Sequence, residues 1–169
     1  MKETVLAAAL ALSLVSPAVL AAETADVVVV GAGAAGLSAS IGAAARGAKV
    51  ILLEKTGDAG GNTAFASLGL NAAATPDQAA ARIMGDSATL FAADTIRYGH
   101  QFNDAALVRA MTVTSAPALA WLETLGAKLC LRITPVGSEA QPRLMAPCDG
   151  TAVGPLLIQV LKAKALQSQ

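Results

Sequence analysis

The stretch from Asp26 to Gly36 reads DVVVVGAGAAG, and an alanine-rich segment that carries Leu37 and Ile41 follows it. Four consecutive valines are β-branched and apolar on both faces, which favours a central strand of a parallel sheet. The glycines after them permit a tight turn, and the alanine-rich segment is typical of a helix. The stretch therefore predicts a strand, a turn and a helix, the opening of an α/β fold with a parallel sheet.

Three glycines in this turn have separate steric roles. Gly31 permits the sharp turn, Gly33 lets a pyrophosphate approach the main chain, and Gly36 lets the helix lie close to the strand. The N-terminus of the helix offers unpaired N–H groups and the positive end of its dipole to phosphates. With Ala32 and Ala35 between them, the glycines form a GxGxxG motif between a strand and a helix, which predicts dinucleotide binding.

An acidic residue follows the second predicted strand. Gly47 ends the helix, 49–53 reads as a strand, and Glu54 comes 18 residues after Gly36. A carboxylate there accepts hydrogen bonds from the ribose hydroxyls and would repel the extra phosphate of a phosphorylated nicotinamide cofactor. A solvated surface carboxylate is the alternative, but the glycines upstream favour the ribose role.

A second glycine-rich loop follows Glu54 directly. Residues 55–63 read KTGDAGGNT, where a domain that binds a nicotinamide dinucleotide ordinarily continues into its next helix. The additional loop indicates a ligand longer than NAD.

Six segments of the sequence together resemble one family of flavoproteins. They are DVVVVGAGAAG at 26–36, GAKVILLEK at 47–55, GGNT at 60–63, SLGLNAA at 67–73, FNDAALV at 102–108 and WLETLGA at 121–127. Over residues 24–166 the chain is similar to the soluble periplasmic fumarate reductases and succinate dehydrogenases, which include the flavocytochromes c. Together these segments are far more specific than the GxGxxG motif alone.

The resemblance implies a Rossmann-like α/β fold in which residues 22–169 form the amino-terminal part of an FAD-binding domain. The family's capping domain and the carboxyl-terminal part of the FAD-binding domain are expected to be absent, which leaves the domain incomplete. The implied activity is reduction of an activated double bond, in fumarate or a related carboxylate, by hydride transfer from flavin N5. Because the sequence contains no CxxCH motif for haem, the electrons would have to come from another protein, and a separate cytochrome is one candidate donor. An NAD-binding Rossmann module and a truncated, non-catalytic fragment stay open as alternatives.

The resemblance also assigns residues to the cofactor. Glu54 would hold the ribose, residues 61–63 would pass beside the pyrophosphate and flavin, and residues 68–71 would lie near the isoalloxazine ring. The expected cofactor-binding residues are Gly31, Ala32, Gly33, Ala35, Gly36, Glu54, Lys55, Gly61, Asn62, Thr63, Leu68 and Gly69. Membrane-bound relatives attach FAD through a histidine at the position of Asn62, and an amide cannot replace that imidazole, so FAD is expected to be non-covalent. No residue is assigned a catalytic role, and none is assigned to a metal.

The chain departs from the family where the substrate carboxylates are held. The family's histidine, arginine and proline correspond here to residues 145–147, which read MAP, and an acid used for proton delivery corresponds to Leu156. These differences put fumarate itself in doubt as the substrate. Arg143 is a cation near this segment and would serve either as a carboxylate ligand or as an ordinary surface arginine.

The middle of the chain reads as helical. Residues 75–77, TPD, predict a helix start with a capping hydroxyl, and a second start is predicted at Asn103, before Asp104. The residues of the second helix that are spaced to face a core are Leu107, Val108, Met111, Leu119 and Leu122. Gly126 would end this helix. Trp121 is interpreted as a core residue and His100 as a surface or capping residue.

Composition excludes several other classes of protein. The 169 residues include 12 basic and 12 acidic side chains, so no basic surface indicates nucleic-acid binding. A hydrophobic fraction of 54% with a charged fraction of 14% excludes a disordered tail and suits one domain. Cys130 and Cys148 are too few for a disulfide scaffold and lack metal-binding spacing, and the sequence leaves their pairing open.

Residues 1–21 have the pattern of a secretory signal peptide. Lys2 precedes an apolar run at 5–15, Pro17 follows, and Ala21 ends a run of small or apolar residues suited to cleavage. A membrane anchor is the alternative, but about 11 apolar residues fall short of the roughly 20 that span a bilayer. The sequence thus predicts export to the periplasm, with no membrane span after cleavage.

Overall fold

A computed structural model of the chain describes residues 23–134 and 140–168. The signal peptide predicted at 1–21 lies outside the described residues. The elements are β1 (Val27–Val30), α1 (Ala34–Ala44), β2 (Val50–Leu53), a 3₁₀ helix (Gly61–Phe65), β3 (Leu70–Asn71), α2 (Pro76–Ala80), α3 (Ala88–Tyr98), α4 (Ala105–Thr124), β4 (Leu129–Leu131), β5 (Leu144–Pro147) and α5 (Val153–Gln167).

The first sheet has the predicted strand, helix and strand order. β1 and β2 are parallel, with Val27 opposite Val50 and Val30 opposite Leu53, and α1 connects them. This arrangement confirms the predicted α/β class with a parallel sheet. The predicted central position of β1 is not observed, because within the described residues β1 pairs with β2 alone. Val28 and Val30 are 56% and 83% exposed, since α1 packs on one face of the sheet only.

The second sheet is antiparallel, with strand order β3, β5, β4. Its middle strand places Met145 opposite both Leu70 and Leu131. A disulfide joins Cys130 in β4 to Cys148, the residue after β5. The pairing that the sequence left open is therefore present in the fold.

Both predicted helix starts are found, with one shift of position. Thr75 caps α2 and forms a capping box with Gln78. α4 is capped by Asp104 rather than by Asn103, because the Asp104 carboxylate accepts hydrogen bonds from the N–H groups of Ala106 and Leu107. Gly126 ends α4 with a φ of +98°, as predicted.

The predicted core face of α4 is only partly correct. Val108 and Leu119 are buried, whereas Leu107 and Met111 are 70% and 48% exposed. The buried face also includes the small polar residue Thr112, which apolar spacing did not select. Thr112 and Ser115 are satisfied on the buried face because their hydroxyls donate to the backbone carbonyl oxygens of Arg109 and Thr112.

Two core clusters connect the sheets and helices. One lies around Met145 and Leu119, and the other around Leu37 and Leu161. Trp121 packs against the second cluster, which confirms its interpretation as a core residue. His100 is exposed just after α3, in agreement with the surface interpretation.

α4 is long and apolar enough to cross a membrane by length and composition alone. Core helices of soluble proteins meet the same criterion, and α4 buries Val108, Thr112, Ser115 and Leu119 against this chain. The helix by itself therefore does not indicate a membrane protein.

Candidate functional site

The first glycine-rich turn lies between the C-terminal end of β1 and the start of α1. Gly31 has a φ of +96°, a backbone conformation that glycine adopts without strain. Its N–H donates to the carbonyl oxygen of Leu53 at 2.7 Å, which holds the turn against the end of β2. A Cβ at Gly36 would overlap the carbonyl oxygen of Gly31, so α1 approaches the turn closely only because Gly36 is glycine.

Glu54 is hydrogen-bonded into this turn. Its Oε2 accepts a hydrogen bond from the N–H of Ala32 at 2.7 Å, and its Oε1 accepts from the N–H and the hydroxyl of Thr56 at 3.0 and 3.1 Å. The Ala32 N–H, followed by the two Thr56 donors, lowers the pKa of Glu54 to about 2. Glu54 is therefore an anion at neutral pH. Sequence reasoning predicted the carboxylate but not its bond to Ala32.

The second glycine-rich loop contacts the first. The N–H of Gly60 donates to the carbonyl oxygen of Ala32 at 2.9 Å, and the Thr63 hydroxyl accepts from the N–H of Ala34 at 3.2 Å. Thr63 thereby binds one of the first N–H groups of α1. The fold thus brings the GxGxxG turn, Glu54 and residues 61–63 together at one end of the parallel sheet.

Gly33 lies in the space between the two loops. A Cβ built on Gly33 would stand 3.6 Å from the carbonyl oxygen of Gly60 and 3.7 Å from the Thr63 hydroxyl, which is ordinary contact distance. Gly33 is also the N-cap of α1 and has no side chain over the first N–H groups of the helix. Helix N-termini bind anions such as a pyrophosphate through N–H groups of this kind. The ionised Glu54 beside it suits the hydroxyls of a ribose.

The remaining predicted residues lie around this centre. Lys55 and Asn62 are exposed, and Leu68 is 63% exposed, so these side chains are accessible. Gly69 is different, because a Cβ there would overlap the carbonyl oxygen of Met145 in β5. Glycine at this position therefore allows the close approach of the chain before β3 to β5, which is a packing role separate from any contact with a ligand.

Gly154 is a residue of the site that sequence reasoning missed. Its N–H donates to the carbonyl oxygen of Ala66 at 2.8 Å, and a Cβ on Gly154 would overlap the carbonyl oxygen of Thr63. The first turn of α5 therefore packs directly on the second loop. A glycine in the first turn of a helix was the available signal, because glycine is disfavoured there without a packing reason.

Both interpretations of Arg143 are wrong. Its side chain is fully buried and is neither on the surface nor available to a substrate carboxylate. The guanidinium donates through Nη2 to Asp86 at 2.7 Å and through Nη1 to Asp94 at 2.7 Å. Arg143 is thus ion-paired with two carboxylates of this chain.

The residues at which the sequence departs from the resembled family, 145–147 and Leu156, lie mostly in the protein interior. Met145, Ala146 and Pro147 are buried in β5, and Leu156 is partly buried in α5. Within 23–134 and 140–168, no group of three or more His, Cys, Asp or Glu residues is arranged to hold a metal ion.

Comparison with known proteins shows the family to which the chain belongs. Residues 26–168 match the model of the family described as FAD binding domain. A fumarate reductase (cytochrome) of Shewanella frigidimarina is 41% identical over 145 residues, which cover 86% of this chain and 25% of that protein. An NADH:fumarate oxidoreductase of Klebsiella pneumoniae is 44% identical over 138 residues, covering 80% of this chain and 14% of that protein.

The fold is also found among solved structures. An open conformation of a flavocytochrome c3 fumarate reductase superposes with a TM-score of 0.81 at 37% identity, covering 87% of this chain and 26% of that chain. The chain thus spans about a quarter of the length of the Shewanella relative and of this structure.

Proposed function

Because this chain belongs to the FAD binding domain family, we propose that residues 22–169 are the amino-terminal part of the FAD-binding domain of a fumarate reductase-type oxidoreductase. The proposed reaction is reduction of an activated double bond in a small carboxylate, fumarate or a related enoate. The observation that carries the proposal is the Glu54 carboxylate, which lies 2.7 Å from the N–H of Ala32 where the two glycine-rich loops meet. Relatives that are fumarate reductases support it.

FAD, when bound, supplies a hydride from flavin N5 for such a reduction. In this proposal Glu54 accepts hydrogen bonds from the ribose hydroxyls, and the N–H groups around Gly33 and Ala35 bind the pyrophosphate. Residues 61–63 continue the binding surface from the pyrophosphate toward the flavin. Asn62 has no imidazole, so FAD is held without a covalent bond.

The other proposed cofactor residues shape and flank this surface. Gly31 and Gly36 fix the turn, Leu68 and Gly69 are proposed to lie toward the flavin ring, and Lys55 follows Glu54 on an exposed part of the loop. No residue of this chain is assigned the proton that completes the reduction. The part played by the chain is therefore binding and orientation of the cofactor.

A separate cytochrome is the proposed electron donor. The Shewanella relative is a fumarate reductase (cytochrome), whereas this sequence has only two cysteines and no CxxCH motif. The test is the first electron transfer alone, without an enoate. Under anaerobic conditions, a reduced cytochrome that becomes oxidised while the absorbance of FAD on the purified chain is bleached would support this donor, and a cytochrome that stays reduced would contradict it.

Export of the chain is supported by an observation that does not depend on the signal peptide predicted at residues 1–21. The Cys130–Cys148 disulfide is of the kind that forms and persists in oxidising compartments such as the periplasm. We expect protein recovered from the periplasmic fraction to begin at about Ala22, because signal peptidases cleave after small residues such as Ala21. The intact mass of that protein measures the cleavage site, and a retained Met1 would contradict the proposal.

The FAD proposal is tested by the binding of dinucleotides to the purified chain in equilibrium dialysis. We expect FAD to bind weakly but more tightly than NAD, because the second loop extends the surface beyond the pyrophosphate. Glu54→Ala should weaken FAD binding about 10- to 100-fold, since the ribose loses a charged acceptor. Gly33→Ala should weaken it at least about tenfold, since the new methyl group occupies the space of the pyrophosphate.

Two controls belong to this experiment. In Gly42→Ala the new methyl group would come within 4 Å only of the flexible Arg46 guanidinium, so FAD affinity should not change. The loss of FAD affinity in Glu54→Ala should be the same from pH 8 to pH 5. The pKa of Glu54 is lowered to about 2, so the carboxylate is ionised over this range and is protonated only near pH 2.

Tighter binding of NAD than of FAD would favour the NAD-binding module. Binding of neither would favour a non-catalytic fragment. Unchanged FAD affinity in both Glu54→Ala and Gly33→Ala would contradict the proposed roles of these two residues in cofactor binding.

A further inference from the structure

The disulfide between Cys130 and Cys148 joins β4 to the exit of β5. The two Cα atoms lie 5.0 Å apart, and the N–H of Cys148 donates to the carbonyl oxygen of Lys128 at 3.2 Å. These are the only cysteines in the sequence. Opening this disulfide would therefore release two thiols that have no alternative partner within the chain.

The two sulfur-bearing residues differ in accessibility. Cys148 is exposed and is followed by the exposed residues Asp149 and Gly150, whereas Cys130 is partly buried in β4. Thiol–disulfide exchange requires an attacking thiolate to reach a sulfur along the disulfide axis. The greater exposure of the residue Cys148 thus favours attack by an external thiol at its sulfur, with Cys130 as the leaving group.

A short segment connects Cys148 to the second glycine-rich loop. Asp149 accepts hydrogen bonds from the N–H and hydroxyl of Thr151 at 3.0 and 2.7 Å, and α5 starts at Val153. Gly154 then donates to Ala66 at the end of the 3₁₀ helix. The disulfide is therefore six residues from the backbone contact that holds α5 on this loop.

We propose that Cys130–Cys148 is a thiol–disulfide exchange site for a dithiol reductant, and that its opening loosens the segment 148–154 and the segment 61–66, which is the 3₁₀ helix and the residue after it. One thiolate of the dithiol attacks Sγ of Cys148, a mixed disulfide forms, and Cys130 leaves as a thiolate. The second thiolate of the dithiol then attacks the dithiol's own sulfur in the mixed disulfide and releases Cys148. The dithiol is oxidised to a disulfide, and its two electrons reduce the two cysteines.

The loosening follows from the position of the crosslink. β4 has three residues and lies at the edge of its sheet, so few backbone hydrogen bonds hold it to β5 without the disulfide. The disulfide also closes a loop of 18 residues, and such closure restricts the unfolded chain. This proposal concerns the chain alone and does not require FAD to bind.

Dithiothreitol serves as the dithiol probe on the purified, oxidised chain under native conditions. Alkylation followed by mass measurement should find two new thiols per chain, and the monothiol glutathione should form its mixed disulfide on Cys148. Reduction should lower the midpoint of thermal unfolding by about 6 to 12 °C. Hydrogen exchange should become at least about tenfold faster in 61–66 and 148–154, but not in α3.

A double variant, Cys130→Ser with Cys148→Ser, should match the reduced chain and should not respond to dithiothreitol. Removal of dithiothreitol and reoxidation should restore slow exchange, which separates reversible opening from unfolding. The proposal is overturned if the thiols stay inaccessible without denaturant, if glutathione is found on Cys130, or if exchange in 61–66 is equal in the oxidised and reduced chains.

Discussion

Arg143→Met should lower the free energy of unfolding by about 3 to 5 kcal/mol, because it removes the cation from two buried carboxylates. Nε of Arg143 lies 2.9 Å from both oxygens of Asp86, and Nη1 lies 2.7 Å from Asp94. The guanidinium also stacks over the Phe91 ring at 5.0 Å. The variant would leave both carboxylates in the interior without the buried cation that neutralises them, and urea unfolding measures the loss.

The pH dependence of this loss separates charge from packing. Burial alone would raise the pKa of Asp94, but hydrogen bonds from Arg143 and Ala140 outweigh it and lower the pKa below its ordinary value. This stabilisation is present above the ordinary pKa and is lost as the pH falls below it. In the variant, burial raises the pKa and the carboxyls are protonated more readily. The stability difference between the two proteins should therefore shrink as the pH is lowered from 8 to 4.

Two further variants serve as controls. Arg97→Met removes an arginine that is 64% exposed and lies 3.5 Å from Asp94, so it should cost less than about 1 kcal/mol. Adding Asp86→Asn and Asp94→Asn to Arg143→Met should recover part of the loss, because the buried charges are then gone. A loss of less than about 1 kcal/mol for Arg143→Met would contradict the assignment of a buried ion cluster.

Gly36→Ala should destabilise the chain by about 3 kcal/mol. A methyl group at this position overlaps the carbonyl oxygen of Gly31, which is backbone and cannot rotate away. α1 must then move off the turn and off the end of β1. A loss of stability would be opposite to the usual effect, because alanine in place of glycine usually stabilises a helix by about 1 kcal/mol.

Other glycines of the same segment supply the comparison. Gly42→Ala should follow the usual rule and raise the stability slightly, because only the flexible Arg46 side chain is near. Gly33→Ala should leave thermal unfolding nearly unchanged, because its new methyl group stays at ordinary contact distances. Equal stability of the Gly36→Ala and Gly42→Ala chains would show that close packing of α1 does not require glycine.

Local patterns were sufficient to predict the opening of the fold. The four valines, the glycine spacing and Glu54 lie within one β-α-β unit, and each depends on neighbours close in sequence. Capping at Thr75 and the end of α4 at Gly126 were predictable for the same reason. Asn103 and Asp104 are both good N-caps, so the sequence alone did not choose between them.

Long-range partners could not be predicted from one sequence. Arg143 is 57 residues from Asp86, and no periodicity connects an arginine before a strand to a carboxylate in a distant loop. The same limit applies to Gly154 and Thr63, which meet only after α5 has packed. The disulfide was undecided because a separation of 18 residues is compatible with paired or separate cysteines.

The uncovered face of the first sheet has a consequence for the thermodynamics of the chain. Val28, Val30 and Leu53 are 56%, 83% and 50% exposed in the native state. Unfolding raises the heat capacity in proportion to the apolar surface that becomes newly hydrated, and these side chains are hydrated before unfolding begins. The increase in heat capacity on unfolding should therefore fall below the usual value of about 12–15 cal/mol/K per residue. The free energy of unfolding then varies less with temperature than in a closed α/β domain of equal length.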